Sequence, residues 1–223
     1  MNSGTIGLMG AMELEVKLIA ESITLKGTEQ HVERTFYRGQ FAGRDVVIVQ
    51  SGVGKVRAAT ACQFLLEHFG VERLIFAGVA GGLRPGLSIG DIIVSERAME
   101  WDFHSLMLPR CWYHADPALV SLAVRSAERL GRKVHIGSVL TGDRPIFKNE
   151  QKQDLWRTFN ADCVEMEGAA VAQVCVLNAI PFVLIRAVSD LADEHSFVNL
   201  VRNLREVVAW PAEVALEMVK SLV

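Results

Sequence analysis

The run FVLIRAV at 182–188 constrains this chain more than any other part of it. Six of its seven residues are apolar and they do not alternate with polar ones, so it reads as a strand covered on both faces. Such strands belong to sheets with helices packed on both sides. Two features of the run stand out against that background. Arg186 sits in its middle, and Ser189-Asp190 follows its end. A charge in such a place costs free energy unless a partner meets it.

The remaining pattern alternates strands and helices. Strands are expected at 5–9, at 35–41 and 45–50 with Ala42-Gly43-Arg44 as their turn, and at 74–77, 91–95, 134–140 and 182–188. Helices are expected at 13–22, 56–69, 117–130, 150–159, 169–177 and 197–223, the last broken or kinked by Pro211. No linker, repeat or low-complexity segment interrupts this series, so one α/β domain over 1–223 is expected, with a mainly parallel or mixed sheet.

With 223 residues, 50% of them hydrophobic and 22% charged, the chain has enough apolar material for a substantial core. The net charge of −3 argues against a polyanionic partner and favours a small, nearly neutral ligand; neither nucleic acid nor membrane is expected as a partner. The four cysteines form no C-x-x-C pair and read as reduced thiols. The N-terminus lacks a basic region and is expected to carry no signal peptide. No apolar run approaches the roughly 18 residues of a membrane span. A soluble cytoplasmic protein is expected.

In open α/β sheets, ligands bind beyond the carboxyl ends of strands. The first strand runs into Gly10-Ala11-Met12-Glu13-Leu14-Glu15, and the run 74–77 into Gly78-Val79-Ala80-Gly81-Gly82. Two acids, Glu165 and Glu167, flank Met166 in an apolar neighbourhood. The glycines allow close backbone approach to a ligand. Ser51-Gly52-Val53-Gly54-Lys55 is neither a P-loop, for Val56 stands where Ser or Thr is needed, nor G-x-G-x-x-G, for Arg57 holds the last position. It reads equally well as a tight turn opening a helix. Arg186 is expected to pair with Glu167 or Glu165, either knitting the core or holding a carboxylate ionised for chemistry. Glu13 is explained by its place in the first turn of a helix; Glu15 is not settled by pattern.

Taken in order, IGLMGAMELEV at 6–16, SGVGKV at 51–56, GVAGGL at 78–83, GDIIV at 90–94, VEME at 164–167 and RAVSD at 186–190 resemble the methylthioadenosine/S-adenosylhomocysteine nucleosidases of the purine nucleoside phosphorylase superfamily. The similarity runs from about Thr5 to Asp193. It implies a single α/β domain with a mixed, barrel-like central sheet, usually in a homodimer, that hydrolyses the bond between adenine and a 5′-substituted ribose without cofactor or metal. By position, Glu15 matches the residue that activates the attacking water. Glu167 matches the one that bonds the ribose hydroxyls and helps place that water. Arg186 matches the arginine that orients these glutamates, and Asp190 the acid that protonates adenine N7, with Ser189 beside it. Met166 matches the residue under the sugar, and the backbone around Ile146 the segment that pairs with the adenine edge. Met12, Val79, Ala80, Gly81, Phe147 and Glu165 complete the implied substrate-binding set.

The chemistry agrees with this carry-over. Breaking an N-glycosidic bond needs a protonated leaving base and a stabilised oxocarbenium-like sugar that captures water. A desolvated Asp190 with a raised pKa suits the first task; charged Glu15 and Glu167 near Arg186 suit the second.

Some positions depart from the pattern. Val79 stands where many members have serine, and Pro145 where an aromatic commonly stacks on adenine, with Phe147 two residues away as a substitute. The stretch 101–109 is shorter than the family's acid-rich loop and carries Trp101 and His104. Phe197 is expected as a pocket lid or partner-side residue. Two other functions stay open. Lys55 and Arg57 keep a phosphate-dependent phosphorylase in play, although Glu13 and Glu15 would repel the anion. The loop departures keep a non-catalytic nucleoside-binding sensor in play.

Overall fold

The computed structural model describes residues 4–192 and 206–222. Phe197 lies outside the described residues.

Three strands lead the chain: β1 (Thr5–Gly10), then β2 (Thr24–His31) and β3 (Arg34–Phe41) after the first helix, α1 (Glu13–Ser22). Next come β4 (Arg44–Gln50), α2 (Lys55–Phe69), β5 (Val71–Gly82), β6 (Ile92–Glu100), β7 (Tyr113–His114) and α3 (Pro117–Arg129). The chain continues through β8 (Val134–Thr141), α4 (Asn149–Phe159), β9 (Cys163–Glu165), α5 (Gly168–Leu177), β10 (Phe182–Asp190) and α6 (Ala209–Ser221).

The strands form one mixed sheet. β5, β10, β6, β8 and β9 pair in a ring that closes on itself, because β5 bonds both β9 and β10. From β5 the sheet extends outward through β1, β4, β3 and β2. β10 is buried along its whole length, and the main core lies between its neighbours and the flanking helices. The α/β fold with a barrel-like mixed sheet expected from the sequence is the fold observed. No helix among the described residues is long and apolar enough to cross a membrane.

Local chemistry accounts for most element ends. Ala42 and Gly43, both at positive φ, form the two-residue β3–β4 turn, and Arg44 already belongs to β4. Gly70 closes α2 in the left-handed region, and Asp116 caps α3 with Pro117 in its first turn.

Five expectations need correction. β2 escaped the sequence reading because TLKGTEQH shows no apolar alternation: it is an edge strand, largely exposed. β9, three residues long, lacks the length to make a pattern. The strand expected to stop at 77 continues as β5 to Gly82. Its glycines are not breakers, for a Cβ at Gly78 would stand 2.8 Å from Oε1 of Glu15. Ser189 and Asp190 are the last residues of β10 rather than the start of a loop. Pro211 does not break a helix interior among the described residues. The helix restarts at Ala209 after a turn at Val208, and Pro211 occupies the first turn, where a missing N–H costs little.

Candidate active site

One cleft, with a cavity volume of about 150 Å³, opens where β1, β8, β9 and β10 end, alongside the last residues of β5. Glu15, Glu167 and Asp190 all line it. So do Met12, Val79, Ala80, Gly81, Ile146, Phe147, Glu165, Met166 and Ser189. Ala11, Val53, Arg144, Pro145, Val164 and Ala192 also line it and were not named as binding residues. Val53, after the first glycine of the 51–55 turn, was the most findable of these.

Glu15 is the third residue of α1, and its carboxylate turns back over the helix start. Oε2 accepts the N–H groups of Ala11 at 2.6 Å and Met12 at 2.8 Å, which is half of a capping box. Oε1 reaches across to β5 and accepts the N–H of Val79 at 3.0 Å. The helix therefore accounts for one oxygen only; the other ties the carboxylate to the cleft wall. Burial pushes its pKa up, against the opposing pull of Met12's N–H and the Arg186 guanidinium.

Arg186 is 1% exposed and does not line the cleft. Nη2 donates to Oε2 of Glu165 at 3.1 Å, and Nη1 to the carbonyl of Phe76 at 2.8 Å, with the guanidinium 4.2 Å over the Phe76 ring. Of the two partners left open by the sequence, the arginine takes Glu165.

Glu165 is correspondingly occupied. Beyond Arg186 it accepts the hydroxyl of Thr141 and the N–H groups of Glu167 and Gly168 at the start of α5. Thr141 in turn accepts the N–H of Ala169 at 2.7 Å. A carboxylate at a helix N-terminus is well placed electrostatically. Glu165 thus borders the cleft with both carboxylate oxygens already bonded within the protein.

Glu167 differs. It accepts a single backbone bond, from the N–H of Gly54 at 2.7 Å. Gly54 has φ of 104°, a conformation that favours glycine and aims this N–H at the carboxylate. Burial, reinforced by the charge of Glu165, pushes the Glu167 pKa up to about 8.

Asp190 is 8% exposed, and among the described residues its neighbours hold it: Oδ2 accepts the Ser189 hydroxyl at 2.8 Å and Oδ1 the N–H of Ala192 at 2.9 Å. Behind this side of the cleft Ile146 is packed into a second apolar cluster with Leu140, Val164 and Trp101, while Phe147 is 39% exposed at the rim.

Lys55, the first residue of α2, is engaged away from the carboxylates. Its Nζ lies 2.9 Å from Asp102 and 3.3 Å from Asp143. Arg57 is exposed and donates to the carbonyl of Val53. Neither lines the cleft.

Comparison with known proteins now adds to the geometry. The sequence profile of the phosphorylase superfamily matches residues 5–222. A 5′-methylthioadenosine/S-adenosylhomocysteine nucleosidase of Baumannia cicadellinicola is 37% identical, with 97% of this chain and 99% of the relative covered. The Neisseria meningitidis nucleosidase of the same name, solved with methylthio-immucillin-A, superposes with a TM-score of 0.94 at 33% identity, covering 99% and 100% of the two chains. A futalosine hydrolase of Helicobacter pylori superposes with a TM-score of 0.93 at 27% identity, covering 98% of each.

Proposed function

The chain belongs to the 5′-methylthioadenosine/S-adenosylhomocysteine nucleosidases of the phosphorylase superfamily, and from that premise we propose that Glu15, Glu167 and Asp190 divide the hydrolysis of a 5′-substituted adenosine between them. The enzyme is a hydrolase of the N-glycosidic bond of adenosine-type nucleosides. The finer reading is that its substrates are 5′-methylthioadenosine and S-adenosylhomocysteine. One observation carries the division of labour: three buried carboxylates line one cleft, Glu167 feels the charge of Glu15, and among the described residues Lys55 is tied to Asp102 outside that cleft rather than free to cradle a phosphate.

In this reading adenine lies between the backbone at Ile146 and the carboxyl of Asp190, and the ribose rests on Met166. Asp190 gives N7 a proton, so the electron pair of the C1′–N9 bond leaves on a neutral base. Water adds its oxygen to C1′, and its proton passes to Glu15. Glu15 accepts three backbone N–H bonds, which oppose the upward push of burial on its pKa, whereas Glu167 accepts one. With a pKa near 8, Glu167 keeps a proton at neutral pH in the free enzyme and is suited to bonding a ribose hydroxyl and the water. Arg186 fixes Glu165, and Glu165 fixes the start of α5 from which Glu167 projects. Acid–base assistance of this kind is worth roughly 10²–10⁴-fold in rate.

A cytoplasmic homodimer goes with the reading. Val56 of α2 is 80% exposed and Leu177 of α5 is 77% exposed, on two helices that pack side by side. Sedimentation of the purified chain tests it: a monomer at micromolar concentration removes the dimer from the proposal.

The decisive assay measures adenine release from 5′-methylthioadenosine, S-adenosylhomocysteine and an aminofutalosine, with and without inorganic phosphate. Equal rates without phosphate, with the first two preferred, are expected. Strict dependence on phosphate would overturn hydrolysis. Tight binding of the nucleosides without any adenine release would leave a sensor.

A further inference from the structure

The sequence calls for no metal, but the fold brings His68 onto Glu29 and His31, which lie far earlier in the chain. Glu29 and His31 are two residues apart on β2 and so share one face of that strand. That face meets the end of α2, where Phe64 and His68 are one helical turn apart. Nε2 of His31 lies 3.3 Å from Oε2 of Glu29, and Nε2 of His68 lies 3.0 Å from the same oxygen. Both rings thus aim the same nitrogen at one point. All three donor atoms fall within 4.8 Å of one another.

The rings are also pre-oriented. His31 and His68 both stack on Phe64, with centroids at 4.6 and 4.8 Å, and their own centroids are 4.9 Å apart. Phe36, fully buried, backs Phe64 at 5.2 Å. Arg38 donates to Oε1 of Glu29 at 2.9 Å, which fixes the carboxylate and leaves Oε2 turned toward the imidazoles. Second-sphere bonds of this sort orient metal ligands.

We propose that Glu29, His31 and His68 form a binding site for a divalent transition-metal ion of the zinc class, separate from the nucleoside cleft. In a tetrahedral zinc site with bonds of roughly 2.0–2.1 Å, ligand atoms stand about 3.3 Å apart. The two oxygen–nitrogen separations already meet that figure, and rotation of two partly exposed rings brings the nitrogens together. Two imidazoles with one carboxylate suit zinc, nickel or copper rather than magnesium or calcium. A fourth position faces solvent and takes water. The ion would staple the edge hairpin β2–β3 to the C-terminal end of α2. The other end of that 15-residue helix, about 22 Å away, touches the catalytic cleft through Gly54. The role is therefore structural, and it stands independently of the substrate reading.

The test uses the untagged full chain, stripped with chelator and titrated with zinc chloride by calorimetry, with metal content measured after dialysis. One zinc per chain is expected, with a raised Tm and an unchanged rate of adenine release. The double variant His31→Ala/His68→Ala should lose that zinc and the Tm gain while still releasing adenine. Arg38→Ala should weaken binding about 10–100-fold. A Cys111→Ser variant should bind as wild type. Cobalt in place of zinc should give the visible bands of a tetrahedral N/O site, absent in the double variant. Substoichiometric zinc in the wild type, or full retention by the double variant, overturns the proposal.

Discussion

The two ends of the cleft are built in opposite ways. At the water end, Glu15, Glu165, Glu167 and Arg186 come from α1, β9, the start of α5 and β10, and they draw further bonds from β5, β8 and the 51–54 turn. At the end assigned to the base, the bonds to the Asp190 carboxylate among the described residues come from Ser189, whose hydroxyl also reaches the carbonyl of Ala80, and from the N–H of Ala192. The first arrangement is a product of the whole fold; the second is local. A group held by the whole fold cannot be altered without disturbing stability. A group held by its neighbours can be changed for function alone.

The sharpest way to break this contrast is at its two poles. Asp190→Asn should lower turnover by roughly 10²–10⁴-fold while leaving unfolding by urea nearly unchanged, because an asparagine oxygen still accepts the Ala192 N–H. A large loss of stability in that variant would mean that Asp190 is a core residue and not an acid. Arg186→Met should do the reverse in emphasis. It strands Glu165 without its counter-ion, and breaking such a buried pair costs about 3–5 kcal/mol of folding stability. A stable Arg186→Met protein with only its activity impaired would place the arginine in direct contact with substrate, against its burial.

How much of this could be read from the chain follows the same division. The local end was fully legible: Ser189-Asp190 after an apolar run marks itself. The water end was legible in its members but not in its wiring. Nothing in sequence spacing distinguishes Glu165 from Glu167 as the partner of Arg186, since the choice depends on which carboxylate the start of α5 collects. The fold shows the same limit. β10 was plain because burial on both faces leaves an unbroken apolar run, whereas β2 was invisible because an edge strand has no buried face to record. Gly78 was misread as a stop, because its need for a missing Cβ arises only from Glu15, sixty-three residues earlier in the chain. Lys55 looked available to a phosphate until Asp102 and Asp143 were seen to hold it.

A third test probes how closely the carboxylates at the water end are crowded. Glu167 has a pKa of about 8 in the folded protein against an ordinary 4.5. The folded state therefore binds more protons than the unfolded one between those values. Its contribution to stability is complete below about pH 4.5 and is lost as pH rises to 8, with a ceiling of about 5 kcal/mol. Thermal melts of the free enzyme between pH 5 and 8 should show Tm falling, and Glu167→Gln, which cannot ionise, should flatten that slope. Parallel curves for the two proteins would mean that Glu167 is charged throughout and that the proton it is assigned in the free enzyme does not exist.

The smallest effect is expected at Ser189, and it separates the two ends most finely. Its hydroxyl donates to Oδ2 of Asp190 at 2.8 Å and, at a longer 3.4 Å, to the carbonyl of Ala80. Removing it by Ser189→Ala deletes one hydrogen bond to a carboxyl, worth about 1.5–3 kcal/mol when the acceptor is charged and about 1 when it is not. If Asp190 gives its proton to the base in the rate-limiting step, the bond strengthens as the charge develops, and the difference is a drop in turnover of about fivefold, with KM little changed. If its charge does not change in that step, ground state and transition state lose the bond alike and turnover should hold. Either result keeps the base end local, provided the melting temperature holds. A fall in Tm comparable to that of Arg186→Met would show that this end is wired into the fold as deeply as the other, and the contrast between them would be gone.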